Sequence, residues 1–452
     1  MKNNMPENNI PKIITRFAPS PTGLFHVGSA RVALFNYLFT KQNGGEFLLR
    51  IEDTDEARSK PEWTKMIYDS LKWLGIDYKK SFIQSERTEV YKKYLEKLIS
   101  EDKAYISKEE VTEEGQRAEV IRFRNPNKKV KFNDLIRGDI EFDTTELKDF
   151  IIAKSLTEPI FHLTNVIDDF ESGVTHAIRG EDHISNTPRQ ILIFEAIGGK
   201  APTYAHLPLI LSETREKLSK RKHGELVSIA YYQKEGYLPE AFINFIAFLG
   251  WNPGTEQEIL SMNELIEKFD IMKVQKSGAI FNKEKLLWFN KEYIKKLPNS
   301  ILKKEIGDRL KVKYTYTDEL LDKVINIITE RINTFGELEK YVEVGEFDYF
   351  FQSPEPVKEM LIWKKDTDFT IPKNNLQKIS ELLENIPEVD FTEEKLKTIM
   401  MPVAEELGKG SVLWPLRVSL SGKDKSPDPF TLLSILSKNE SLKRIETAIK
   451  LL

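Results

Sequence analysis

Two short clusters of this chain carry side chains that could do chemistry together. In PSPTGLFHVGSARVALFNYL, residues 19–38, His26 stands two positions before Gly28, where a Pro/Thr/Gly turn gives way to an apolar run. In EKLSKRKHGEL, residues 216–226, Lys217, Lys220, Arg221 and Lys222 crowd a short loop with Ser219 and Gly224. An imidazole and a glycine at the start of a helix, where unpaired N–H groups and the positive end of the dipole gather, suit an anion. A lysine cluster suits the same ligand, a phosphate. Each also has an ordinary counterpart: a loop histidine beside a turn glycine, and a solvated run of charge. Neither G-x-x-x-x-G-K-[ST] nor G-x-G-x-x-G occurs, so a nucleotide bound here is held in some other way.

The elements around them must place them. Ile13, Ile14 and Phe17 predict a short strand, stopped by Pro19, Pro21 and Gly23. A helix follows, with Ala30, Ala33, Leu34, Tyr37 and Leu38 at helical spacing and Val32, Phe35 and Phe39 on a second face, so it is buried nearly all round. Asn43-Gly44-Gly45 ends it. Residues 11–95 alternate strand-like EFLLRIED with helical TEVYKKYLEKLI, the pattern of an α/β domain with a parallel sheet. GVTHAIRG, NTPRQILIFEAIGG and TYAHLPLIL repeat that texture over residues 173–211. The charged stretch between, roughly 100–160, holds β-like VIRFRNP and DIEFD and looks like an insertion into one sheet domain. From about residue 225 amphipathic helices dominate, and all six histidines (His26, His162, His176, His183, His206, His223) precede that point.

At 452 residues the chain has room for roughly three domains, and its 40% hydrophobic content supplies their cores. With no cysteine, disulfides, cysteine-ligated zinc and a thiol nucleophile are excluded. MKNNMPENNI has neither a secretory apolar core nor an Arg-rich import face, so a cytoplasmic location is expected. A net charge of −4 argues against indiscriminate nucleic-acid binding but leaves a local RNA-binding patch open.

HVGS and KLSKR, in this order and at the two ends of a split α/β region, resemble the paired signatures of class I aminoacyl-tRNA synthetases. Longer blocks narrow the resemblance: RFAPSPTGLFHVGSARVALFNYL, LLRIEDTD, HAIRGEDHISNTPRQ, KLSKRKHG, GYLPEAFINFIAFLGW, FNKEKLLWFN and WPLRVSLSGKDKSPDPFTLLSIL are similar to bacterial-type glutamyl-tRNA synthetase. The resemblance implies an α/β plus all-α chain. Its Rossmann-type catalytic domain would take residues 1–97 and 161–224, interrupted by an α+β acceptor-end-binding domain, 98–160. A helical stem-contact domain (225–297) and two helical anticodon-binding subdomains (298–372 and 373–452) would follow.

It also implies a reaction: ATP and L-glutamate give glutamyl-adenylate and pyrophosphate, and the glutamyl group passes to the terminal ribose of tRNA(Glu). On this resemblance His26, Lys217 and Lys220 are catalytic, and these three with Gly28 and Asp182 bind ATP, with magnesium on its oxygens. Arg16 and Arg179 take the two carboxylates of glutamate, Glu52 its ammonium, and Ser20 and Asn165 add hydrogen bonds. Without the resemblance, such an Arg/Glu set reads first as structural ion pairs. Three departures stand out. Ser29 replaces the second histidine of the signature, Phe161 stands where tyrosine is usual, and the cysteine-rich zinc knuckle of some relatives is missing, so no zinc is expected. Lys128, Lys129, Lys131 and Arg137 in the insertion are candidate phosphate contacts or plain surface charge.

Helical DELLDKVINIITERINTF and SLKRIETAIKLL favour a full synthetase of this branch over relatives ending in β-barrels or lacking the region. The expected protein is a monomer without a membrane partner. Charging of tRNA(Gln) as well, or an inactive RNA-binding paralogue, are the alternatives.

Overall fold

Proline decides where the first strand stops. Ile14–Phe17 (β1) ends before Pro19, and the turn leads into Val27–Gln42 (α1), whose Val27, Ala30, Ala33, Leu34, Phe35 and Leu38 are fully buried. The structure, a computed structural model, describes residues 12–55, 57–110 and 117–452; MKNNMPENNI and the side chains of Lys220 and Arg221 lie outside the described residues. The chain divides into two compact units, one reaching Tyr293 and the other Ile294–Leu452.

In the first unit the chain continues through Glu46–Ile51 (β2), Pro61–Trp73 (α2), Lys80–Ile83 (β3) and Thr88–Ser100 (α3). Ala104–Lys108 (β4), Glu119–Phe123 (β5), Lys129–Asp134 (β6), Gly138–Asp143 (β7), Phe150–Ser155 (β8) and Glu158–Pro159 (β9) follow. Next come Phe161–Glu171 (α4), His176–Gly180 (β10), Thr187–Ile197 (α5), Thr203–Leu207 (β11), Ile210–Leu211 (β12), Lys220–His223 (α6) and Ile229–Lys234 (α7). Pro239–Ala247 (α8), Met262–Lys268 (α9) and Ala279–Ile280 (β13) follow, and Lys283–Lys295 (α10) runs past the end of the unit at Tyr293.

Strands β1, β2 and β3 run parallel, as do β10 and β11. The two sets meet where the Thr175 N–H donates to the Ile14 carbonyl at 2.9 Å, giving the order β3-β2-β1-β10-β11. Between β1 and β10 the winding reverses, and in open α/β sheets ligands bind at the carboxyl ends of the strands beside such a reversal. Helix α1 fills the groove behind: its buried Asn36 donates to the Ile178 carbonyl at 2.9 Å and ties the helix to β10.

The expected insertion is divided. β4, β5, β8 and β9 form their own antiparallel sheet, whereas the β6–β7 hairpin joins β11 and extends the catalytic sheet. Residue 97 falls inside α3 and residue 372 inside a helix of the second unit that begins at Thr370. That unit comprises Asn299–Leu310 (α11), Asp318–Arg331 (α12), Phe335–Glu343 (α13), Asp348–Phe351 (α14), Thr370–Glu384 (α15), Glu393–Leu407 (α16), Lys409–Ser421 (α17), Pro429–Ile435 (α18) and Lys438–Leu451 (α19). Buried Arg444 on α19 donates to the carbonyls of Tyr349 at 2.7 Å and Leu420 at 2.6 Å, so a cation closes chain turns that would otherwise bury unpaired oxygens. Among the described residues no helix is long and apolar enough to cross a membrane.

Candidate active site

A cleft of about 1420 Å³ opens along the carboxyl ends of the parallel strands. Arg16, Ser20, His26, Gly28, Glu52, Phe161, Asn165, Arg179, Asp182 and Lys217 all line it. Of the residues expected from the sequence, only the Lys220 side chain cannot be placed, because it lies outside the described residues.

At one end, His26 caps α1. Its Nδ1 accepts the Ser29 N–H at 3.2 Å, which puts the ring proton on Nε2, 3.1 Å from Ser29 Oγ. Desolvation by the cleft walls is the main cause holding this imidazole below its usual pKa; Asp182 opposes the shift and Lys217 adds to it. With the Ser29 N–H on Nδ1, the ring N–H is on Nε2 and points toward Ser29 Oγ. A Cβ at Gly28 would lie 3.0 Å from Cε1 and Nδ1 of His26, so the glycine makes room for the imidazole, and it also lines the cleft.

The lysine cluster closes on this end. Lys217 bridges to Leu211, and Lys220–His223 forms a helical turn rather than the loop expected. The chain then returns to the histidine: Ser228 bridges to His26, and Ile229 N–H donates to the Phe25 carbonyl at 3.0 Å.

At the other end three arginines and three carboxylates share a network. Arg16 Nε donates to Asp169 at 3.0 Å, Arg50 donates to Asp169 at 2.5 Å and to Glu52 at 2.9 Å, and Arg87 donates to Asp168 at 2.8 Å. Burial alone would raise the Asp169 pKa, but Arg16 and Arg50 hold it below the ordinary value. Arg50 itself is pushed up: burial works against its charge, and Asp169 and Glu52 outweigh it. Asn165 donates to the same Glu52 oxygen at 3.2 Å, which leaves Oε2 without a hydrogen bond among the described residues.

Arg179 is different. Its three nitrogens donate to neutral acceptors only: His206 Nε2 at 3.2 Å, Gln190 Oε1 at 2.7 Å and Thr187 Oγ1 at 2.8 Å. Burial lowers its pKa to about 10, and no carboxylate among the described residues is hydrogen-bonded to it. A buried guanidinium without a directly bonded counter-ion is costly unless an anion joins it.

Helix α4 brings one face to this network, because Phe161, Asn165, Asp168 and Asp169 recur at helical spacing. The Phe161 ring sits between His162 and His183, with centroids 5.7 and 5.6 Å away. Sequence reading missed Arg50, Asp168, Asp169, Thr187, Gln190 and His206. A run of polar residues within the otherwise apolar α4 and β2 was the available signal. In the insertion, Lys128 pairs with Glu195, Lys129 and Lys131 with Glu141, and Arg137 with Glu181, so each candidate phosphate contact already has an acidic partner.

The parallel sheet and its two-ended cleft define a nucleotide- and amino-acid-binding α/β enzyme domain. Residues 12–118 and 106–288 match the family model for the catalytic domain of class I tRNA synthetases (E and Q), and residues 291–449 match an anticodon binding domain. A glutamate–tRNA ligase of Thermodesulfovibrio yellowstonii is 40% identical, covering 96% of this chain and 98% of its own length, and one of Aquifex aeolicus gives the same figures. A solved glutamate tRNA ligase of Elizabethkingia meningosepticum, in complex with its amino acid, superposes with a TM-score of 0.88 at 35% identity over 97% of this chain and 99% of its own. The chain belongs to the class I aminoacyl-tRNA synthetases, and within them to the glutamate–tRNA ligase family.

Proposed function

We infer that this enzyme attaches L-glutamate to tRNA(Glu) in two steps at the one cleft. The observation that carries the reading is Arg179, a buried cation whose hydrogen bonds among the described residues all go to neutral groups, together with Arg16 and the Glu52 oxygen that has no hydrogen bond among them. Glutamate has two carboxylates and one ammonium, and this set answers each: guanidinium groups of Arg16 and Arg179 for the carboxylates, Glu52 Oε2 for the ammonium. Ser20 and Asn165 add hydrogen bonds.

A glutamate α-carboxylate oxygen attacks the α-phosphorus of ATP, the bond to the bridging oxygen breaks, and pyrophosphate leaves. Negative charge grows on phosphate oxygens, so the step needs fixed donors and cations more than a covalent nucleophile. His26 Nε2–H, Lys217 and Lys220 supply them, and Asp182 lies beside His26 on the ATP side. Magnesium enters on the triphosphate as part of the substrate. A terminal ribose hydroxyl of the tRNA then attacks the mixed-anhydride carbonyl, and AMP departs. The enzyme works in the cytoplasm, as a monomer, with a helical anticodon-binding unit divided near residue 370 into two subdomains.

The test is aminoacylation of purified tRNA(Glu) and tRNA(Gln) with labelled glutamate. Charging of tRNA(Glu) is expected, and charging of both would define a non-discriminating enzyme. Absence of glutamylation and of adenylate formation would leave an RNA-binding paralogue.

A further inference from the structure

The side chain that holds the ε-nitrogen of Arg179 is itself held from outside the parallel strands. His206 on β11 is fully buried, and its Nδ1 lies 2.6 Å from Asp134 Oδ2 at the end of β6. Asp134 is equally buried and takes three backbone N–H groups: Ile136 at 3.0 Å, Arg137 at 2.8 Å and His206 at 3.1 Å. A carboxylate with that many donors stays ionised and can only accept, so the imidazole proton must sit on Nδ1. Nε2 is then a lone pair, 3.2 Å from Arg179 Nε and 3.2 Å from Thr187 Oγ1. The opposite tautomer, or an imidazolium, would set an N–H against the Arg179 N–H.

We propose that Asp134 and His206 are positioning residues for glutamate binding: the carboxylate fixes the imidazole tautomer, and the imidazole fixes the rotation of the Arg179 guanidinium in the cleft. The role rests on the reading that Arg179 receives a substrate carboxylate. It also assigns a task to the β6–β7 hairpin, which the sequence places in the insertion. Leu135 N–H donates to the Tyr204 carbonyl at 2.9 Å, and Arg137 pairs with Glu181, which in turn accepts the Leu209 N–H at 2.8 Å. The hairpin turn is thereby fastened to the strand that carries His206.

Two further features fit an orienting part. Three neutral acceptors leave the charge of Arg179 intact for the substrate, whereas a carboxylate in the place of His206 would compete with it. Tyr204, stacked on His206 with centroids 5.9 Å apart, also lies 5.2 Å from the guanidinium carbon, so the face of Arg179 is covered while its edges are bonded.

Steady-state charging of tRNA(Glu) by the full chain, with glutamate and ATP varied separately, tests this. Asp134→Asn keeps the shape but can present an N–H to Nδ1, moving the ring proton to Nε2; glutamate KM should rise about tenfold, with ATP KM within about twofold. His206→Asn keeps a group near Asp134 and removes the acceptor from Arg179, and should raise glutamate KM similarly. His206→Gln, whose amide oxygen reaches the Nε2 position, should recover most of the loss. Thermal melts of all three report folding. Glutamate and ATP KM rising together, or His206→Asn and His206→Gln behaving alike, would overturn the positioning role, and the histidine pair decides the matter even if Asp134→Asn does not fold. Arg179→Gln is the control. If it leaves glutamate KM unchanged, the assignment of Arg179 fails and takes this role with it; if it raises KM while Asp134→Asn and His206→Asn do not, only the positioning role fails.

Discussion

Single atoms set the chemistry at both ends of the cleft. One N–H from Ser29 decides which nitrogen of His26 carries the proton, and Gly28 is small for the sake of that ring. Phe161 is the residue where substitution should be most telling. Its ring lines the cleft, and Phe161→Tyr adds one donor near the glutamate subsite with little change of volume. A net hydrogen bond to a charged group contributes about 1.5–3 kcal/mol, less if water is displaced. Glutamate KM should fall and ATP KM stay level, and steady-state kinetics would show an unchanged glutamate KM if the hydroxyl finds no partner. His162, next along the chain, reports on stability instead. Burial, aided by Arg189 and Arg179, lowers its pKa from 6.5 to about 4, and Nδ1 has no hydrogen-bond partner among the described residues. The native state therefore favours the neutral ring. Its contribution is whole above pH 6.5 and is lost as pH falls toward 4, where the unfolded chain takes up the proton first. His162→Phe should flatten the decline of melting temperature across that window; parallel curves for parent and variant would exclude the cause.

Elements bring these residues together, and their legibility in the sequence was uneven. β1, α1 and β2 announce themselves because apolar spacing and the Pro and Gly stops are local signals. The β6–β7 hairpin does so only in part, through β-like DIEFD. Its exposed and inward positions alternate among charged residues, and nothing local says that Asp134 pairs with Tyr204 on a strand far along the chain. The cleft-lining residues were readable through the family resemblance, but the carboxylates behind them were not, because buried ion pairs between distant segments leave no periodicity. Asp169 is the centre of that hidden layer. Asp169→Asn would leave Arg16 and Arg50, which are 4% and 1% exposed, short of their counter-charge. Breaking a buried pair from one side costs about 3–5 kcal/mol, which urea unfolding would register. A midpoint unmoved by the substitution would mean that the two arginines find other partners.

Taken whole, the chain assigns small-molecule chemistry to its first unit and a helical body to its second. A fragment cut after Leu297 leaves α10 intact and retains every described cleft residue. It should still bind glutamate and ATP, measurable by calorimetry, while its efficiency in charging tRNA(Glu) falls by at least about tenfold with loss of the helical unit. Fragment and full chain charging equally well would contradict that division. The seam between residues 25–26 and 228–229 has a temporal consequence. Those strands of chain are brought together only after everything between them, both sheets included, has been made, and contacts so distant in sequence form late because a long loop must close first. A growing chain would thus carry its histidine signature exposed and unable to form adenylate until residue 229 has left the ribosome. Arrested nascent chains of increasing length should acquire protection of the Phe25–His26 backbone abruptly at that point, so that synthesis of the enzyme itself contains a built-in delay before it can consume ATP.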